Sequence, residues 1–346
     1  MRCSKTAAGC IQSAMKHIIT LLLLVCVSRS LQAQTAEKYG FRHLQFTWRS
    51  SVADILVKSK EGEESVPKPL FFFCQGSGPQ PLIKLDEQGM YGVFPFNPDS
   101  LTAQYHLVIV SKPFIPLVCD VKHLGANFSY LDSTGLPPRG YSEHNLPDYY
   151  VHRNIAIIKF LQQQRWVSSK QLIMAGHSEG STIAARTASI SPLVTRLIYS
   201  GGNPMGRILS MIRQSRSGET DTDSTRYGEQ VFEYWEDVVK HPGNMDASQG
   251  DTYKATYEFS DPPIGYLQKL KIPVLVCYGT KDWSAPYNDL LRVDMIRKGK
   301  ANFSFKAYVG TEHNYFPLTA EGRPDHTQFN WDRVAGDWRK WLNSAR

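Results

Sequence analysis

In the run LIMAGHSEGSTIA, residues 172–184, an apolar segment breaks at Gly176-His177-Ser178-Glu179-Gly180 and then resumes with small residues. A serine hydroxyl is a poor nucleophile at neutral pH. It needs a base to take its proton and donors to hold the oxyanion that its attack creates. A Gly-x-Ser-x-Gly turn solves the steric part of that problem, because a sharp strand-to-helix bend exposes the serine and the glycines leave room for neighbouring backbone. The pentapeptide alone can also be a plain glycine-rich turn. Its flanks favour the nucleophile: QLIMA reads as a buried strand before it, and STIAARTAS as a helix of small residues packed close after it.

A serine of this kind needs an acid and then a histidine further along the chain. Asp282 lies just past the apolar run VLVCYG, and His313 lies just past FSFKAYVG in a short turn. Both positions are carboxyl ends of strands, the edge of an open α/β sheet where ligands bind. A turn aspartate can also be a simple cap, and Asp294 is a rival acid, but Asp294 falls inside a predicted helix. His177 adjoins the serine, yet the neighbour of an elbow nucleophile points away from the reaction, so His177 is expected to be structural. For the oxyanion, one donor is expected to be the backbone N–H of Glu179. The other should come from the loop CQGSGPQP, where Gly76, Ser77 or Gly78 can donate and Pro79 cannot; Ser77 is favoured. No Cys-x-x-Cys, His-Glu-x-x-His or EF-hand pattern occurs, so no metal is expected, and the reaction sketched by these residues needs no cofactor.

The elements that would position these residues follow from hydrophobic pattern. HLQFTWR (43–49) alternates as a half-buried strand does, and ADILVKS (53–59) follows it. The runs 69–74, 105–111, 170–176, 195–201, 272–279 and 303–310 are apolar with little alternation, as expected of strands covered on both faces. Helical spacing places Val151, Ile155, Ile158 and Leu161 on one face, and helices are also predicted in 286–299 and 329–342. Strands alternating with helices predict a mostly parallel sheet with helices on both faces and the first two strands at one edge. About seventy residues, 203–271, separate two strands, too long for a structureless loop. This insert is read as a helical cap or lid, with a polar stretch over 210–230 that is expected to be mobile and an amphipathic helix through Val231, Tyr234, Trp235 and Val238.

With Gly-His-Ser-Glu-Gly, Tyr-Gly-Thr-Lys-Asp and Gly-Thr-Glu-His in this order, the chain from about residue 43 onward resembles the α/β-hydrolase superfamily of serine hydrolases. Within it, the chain looks most like the prolyl-oligopeptidase-like and dienelactone-hydrolase-like branch. The resemblance implies an eight-stranded, mostly parallel sheet and a Ser178–His313–Asp282 triad that forms an acyl-enzyme. Ser181 stands where peptidases of that branch usually carry another glycine, which points away from a peptidase. The expected substrate is a small or medium carboxylic ester. A thioester, a short peptide or an acylaminoacyl amide is the alternative, and a binding protein without turnover is the reading from another class.

Composition sets the remaining limits. At 42% hydrophobic and 12% aromatic, the 346 residues can bury a core and do not resemble a disordered chain. The net charge of +7 owes four positive charges to Arg2, Lys5, Lys16 and Arg29, which no acidic residue balances within the first 33 residues. That segment reads as an export signal, with basic residues, the apolar run 17–27 and Ala33 before a cut. The run is about half of the roughly 20 residues that a membrane span needs. Lipidation at Cys26 is disfavoured by Val25. The expected organisation is a leader over 1–33 and a catalytic domain over 34–346 that is secreted or periplasmic, with no stable membrane span in the mature chain. Without the leader the charge is about +3, and the only dense basic stretch, IRKGK, is short, so no nucleic-acid partner is expected. Cys74 and Cys277 fall in buried runs, Cys119 is open to a disulfide, and Asn127 and Asn302 begin Asn-Phe-Ser acceptors for glycosylation in a host that performs it.

Overall fold

The structure, a computed structural model, describes residues 36–344 except Ser50, Ser248 and Gln249; the leader predicted over 1–33 lies outside the described residues. Eight strands form one sheet: β1 (Phe41–Trp48), β2 (Ser51–Lys58), β3 (Lys68–Cys74), β4 (His106–Val110), β5 (Val167–His177), β6 (Arg196–Ser200), β7 (Val274–Gly279) and β8 (Phe303–Tyr308). Their spatial order is β1-β2-β4-β3-β5-β6-β7-β8. β2 runs antiparallel to both neighbours, and every other adjacent pair is parallel. The expected sheet, with its antiparallel strands at one edge, is therefore present.

Side chains alternate across a strand, and here each face meets its own core. Phe72, Leu172 and Met174 join one buried cluster, whereas Phe71, Phe73, Ile173 and Ala175 join the other. Two covered faces explain why PLFFFC and QLIMA lack polar alternation. On the first face lie helices α1 (Pro147–Gln162) and α2 (Glu179–Ile190). Pro147 suits the first turn of α1, where a backbone N–H has no intrahelical acceptor anyway. Val151, Ile158 and Leu161 are buried there as expected, but Ile155 is only half-buried, and Asn154 and Ile157 share the inner side instead.

The longer helices after α2 are α3 (Arg207–Arg216), α4 (Tyr227–Lys240), α5 (Tyr253–Phe259), α6 (Ala285–Arg297) and α7 (Trp331–Ser344), with a single helical turn at Ile264–Leu267. Trp331, Val334, Ala335, Trp338 and Leu342 form the inner stripe of α7 on the second face. The fully buried Trp338 ring lies 5.5 Å from Phe96 and 6.2 Å from Phe71, centroid to centroid.

Helices α3, α4 and α5 lie between β6 and β7, within the segment 203–271. The first part of the polar stretch 210–230 completes α3. Ile208 and Ile212, one turn apart, are buried and anchor that helix despite its polar sequence. Tertiary contact of this kind outweighs weak local preference. A small sheet of Ile83–Asp86, Gly89–Met90 and Val118–Asp120 stands apart from the main one. Among the described residues no helix is long and apolar enough to cross a membrane, and Cys74, Cys119 and Cys277 are free thiols.

Candidate active site

The bend between β5 and α2 puts Ser178 at φ 58° and ψ −127°. A left-handed backbone costs an L-residue about 1–2 kcal/mol, so the surroundings must hold it. The Ser178 N–H donates to Ser200 O of β6 (2.9 Å), and its carbonyl accepts from the Ser181 N–H (3.0 Å) and hydroxyl (2.6 Å). A Cβ on Gly176 would collide with the Gly180 carbonyl, and one on Gly180 with the Cys74 carbonyl of β3. The two glycines are thus the condition for packing the start of α2 against β5 and β3. The loop after β3 comes up beside the bend: Ser77 lines the same cavity as Ser178 and Glu179, and a Cβ on Gly76 would touch that of Ser178. Gly78, at φ 95°, bends the loop onward and is not part of the lining.

Asp282 and His313 come from the loops after β7 and β8, which are tied together. The Lys281 N–H donates to Thr311 O (2.9 Å), and the Gly310 N–H to Thr280 Oγ1 (2.9 Å). Gly279 allows the crossing, because a Cβ there would strike the Thr311 and Glu312 carbonyls. His313 Nδ1 lies 2.9 Å from Asp282 Oδ2, while Asp282 Oδ1 accepts the Ser284 N–H (2.9 Å). Burial opposes the charge on Asp282, yet the His313 hydrogen bond and charge hold its carboxyl below the ordinary range. A carboxylate only accepts, so Nδ1 donates and Nε2 keeps the lone pair. For His313, burial again opposes charge, but Asp282, with Glu312 adding to it, raises the imidazole above the ordinary histidine value. The rival acid Asp294 lies away on α6, bound by Lys298 and Gln268.

His177 is packed rather than presented to the cavity. Burial and the neighbouring His313 push its pKa down to about 3, so the ring is neutral near pH 7. In that state Tyr315 O–H donates to Ser200 Oγ (2.6 Å), Ser200 to His177 Nδ1 (3.0 Å), and Nε2–H to Asn314 Oδ1 (3.3 Å). The ring lies 4.9 Å from that of His313 and edge-on to Trp331 at 4.7 Å. It forms a wall behind His313.

A chain of alternating charges, absent from the sequence reading, runs beneath the bend. The Glu179 carboxylate is 2% exposed and accepts from Lys112 Nζ, also 2% exposed, at 2.9 Å. Its other oxygen accepts from Arg207, the first residue of α3, which in turn reaches Asp251 at 2.5 Å. Asp251 also accepts from Asn145 (3.0 Å), and Arg207 lies over the Phe259 ring. Burial would push the Glu179 carboxyl up, but Lys112 and Arg207 hold it below its usual value. These four residues come from distant parts of the chain with no diagnostic spacing. The only hints are a lysine directly after the apolar run of β4 and a glutamate beside the turn serine.

Ser178, Asp282 and His313 all line one cavity of about 640 Å³. Its far wall belongs to the segment 203–271: Arg207, Ser210, Met211 and Gln214 follow one stripe of α3, and Tyr234, Tyr253, Thr256 and Phe259 come from α4 and α5. Among the described residues no group of three or more His, Cys, Asp or Glu side chains is disposed to hold a metal ion.

No protein-family model matches the sequence, and no curated protein matches it by sequence. Solved structures do match the fold. The chain is similar to an acylaminoacyl peptidase from Pyrococcus horikoshii at 15% identity and a TM-score of 0.51, over 87% of this chain and 41% of that one. It therefore spans about two fifths of the peptidase's length. Similarity to Est1E from Butyrivibrio proteoclasticus (14% identity, TM-score 0.50) covers 87% of this chain and 97% of that one. Similarity to a 2,6-dihydroxy-pseudo-oxynicotine hydrolase (13% identity, TM-score 0.51) covers 89% and 70%. With the strand order above, these likenesses identify the α/β-hydrolase fold.

Proposed function

We propose that the protein is an exported serine hydrolase that cleaves a carboxylic ester through an acyl-enzyme. One observation carries this reading: a serine on a strained strand-to-helix bend shares a cavity with a histidine whose Nδ1 is held by a buried carboxylate. Ser178 Oγ attacks the carbonyl carbon, and His313 Nε2 takes its proton and returns it to the leaving oxygen. Asp282 keeps the ring oriented and stabilises the imidazolium. The backbone N–H groups of Glu179 and Ser77 hold the oxyanion. Water then enters by the same route and releases the acid. Export rests on the leader predicted over 1–33.

The test is labelling by a fluorophosphonate followed by peptide mapping, together with initial rates on matched ester, thioester and acylaminoacyl amide substrates. A single adduct on the Ser178 peptide with the ester cleaved fastest is the expected result. Adduct without any turnover would leave a reactive serine but remove the ester reading, and a fastest amide or thioester would replace it.

The rate should also report His313. The base must be neutral, so kcat/KM rises with pH as His313 loses its proton. Asp282 favours the protonated ring, which places the midpoint above the ordinary histidine value of about 6.5. Asp282→Asn removes that influence and should lower the midpoint along with the rate. A midpoint below 6 in the unaltered protein, or a flat profile from about pH 5 to 9, contradicts the assignment.

A further inference from the structure

A second cavity, of about 600 Å³, adjoins the first and shares Asp282 and Trp283 with it. The two differ in charge. The first is lined by Glu179, Asp251 and Asp282 with Arg207 as its cation; Arg207 is already paired with both Glu179 and Asp251, and Asp282 is engaged by His313. The second is lined by Arg213, Arg216, Lys281 and Asp289. Arg216 is paired with Glu229 (3.1 Å), and Asp289 accepts the Tyr278 hydroxyl. The side chains of Arg213 and Lys281 have no acidic partner among the described residues. They come from different elements, α3 and the loop that carries Asp282, yet both line this one cleft. Low-dielectric walls focus the field of such charges, and both are solvated enough to receive a ligand without first breaking an ion pair.

We infer that the cleft beyond Trp283 is a subsite for an anionic end of the substrate, so that the preferred ester carries a carboxylate or phosphate remote from the bond that is cleaved. This rests on the serine-hydrolase reading and names the substrate class for it. The reacting bond lies in the cavity at Ser178, whose one lining cation, Arg207, is already held by two carboxylates. The Trp283 side chain forms the divide that the substrate passes, and Arg213 and Lys281 meet the charge on the far side.

Two matched pairs of esters test it with the whole protein. In one, a p-nitrophenyl ester of glutaric acid, free at its other carboxyl, is compared with p-nitrophenyl pentanoate. In the other, the acetate ester of 2-hydroxyethyl phosphate is compared with that of 2-methoxyethanol. The first pair places a carboxylate on the acyl side and the second a phosphate on the alcohol side. At least one charged member should exceed its neutral match by about tenfold in kcat/KM at low salt, with the advantage shrinking toward unity at about 0.5 M salt. In the variant carrying both Arg213→Gln and Lys281→Gln that advantage should disappear, the neutral ester serving as internal reference. Neutral esters favoured in both pairs, or an advantage that survives in the double variant, overturns the subsite while leaving the hydrolase reading standing. Failure to cleave any of the four would instead strike at that reading.

Discussion

Ser178→Ala is expected to lower kcat/KM for a cleaved ester by about 10⁴-fold or more while leaving the thermal transition close to that of the unaltered protein. Removing a nucleophile that acts as a unit with its base costs on the order of 10⁶ in well-studied serine enzymes, with residual catalysis left by oxyanion donors and binding. The fold should survive because the bend is held by the backbone. The hydrogen bond from the residue 178 N–H to Ser200 O, and the contacts around Gly176 and Gly180, involve no Ser178 side-chain atom. Alanine meets the positive φ with a strain like that of serine. Steady-state rates read beside a melting curve decide the matter. A variant that keeps a tenth of the activity would refute Ser178 as the nucleophile.

The second large effect is one of stability. Glu179→Leu leaves Lys112 buried with its carboxylate gone and deprives Arg207 of one of its two partners. Breaking a buried pair from one side costs about 3–5 kcal/mol, whereas replacing both members with apolar groups can be neutral. The single variant should therefore unfold at clearly lower denaturant, and adding Lys112→Met should recover much of the loss. Arg207→Gln, which spares the Lys112–Glu179 pair, should cost less than either single change within it. Equal denaturation midpoints for Glu179→Leu and the unaltered protein would mean that water reaches Lys112 and that the chain of charges is not buried in solution.

Much of the framework was legible because both faces of the sheet are covered. Continuous apolar runs such as PLFFFC and IPVLVCYG then have few readings, and the strands they predict lie within a few residues of the observed ones. The turn at Ser178 was legible for a different reason: a close approach of backbones admits glycine alone, so steric necessity leaves a mark in the letters. The small sheet left no such mark. Its strands are two to four residues long, too short for any period to emerge. The start of α3 was obscured by polar neighbours, since two isoleucines one turn apart are a weak signal among serines and arginines. The ion chain was invisible because Lys112, Glu179, Arg207 and Asp251 meet only through folding. Which residues share a cavity is likewise a tertiary fact: Asp282 and His313 could be placed at strand ends from sequence, but the 2.9 Å between them required the crossing at Gly279.

The wall of the cavity at Ser178 has two owners. The sheet brings the serine, the histidine and the aspartate, while one stripe of α3 and parts of α4 and α5 supply the opposite side. Among the described residues Ser210, Met211 and Gln214 make no hydrogen bond to Ser178, Asp282 or His313, so exchanging them alters the shape of the chamber while those three side chains keep their places. On the proposed reading, selectivity and reactivity can therefore be altered separately. Arg207 is the exception on this stripe: its guanidinium is bound to the carboxylate of Glu179, next to Ser178, so a change there would be felt in the bend itself as well as in the shape of the chamber.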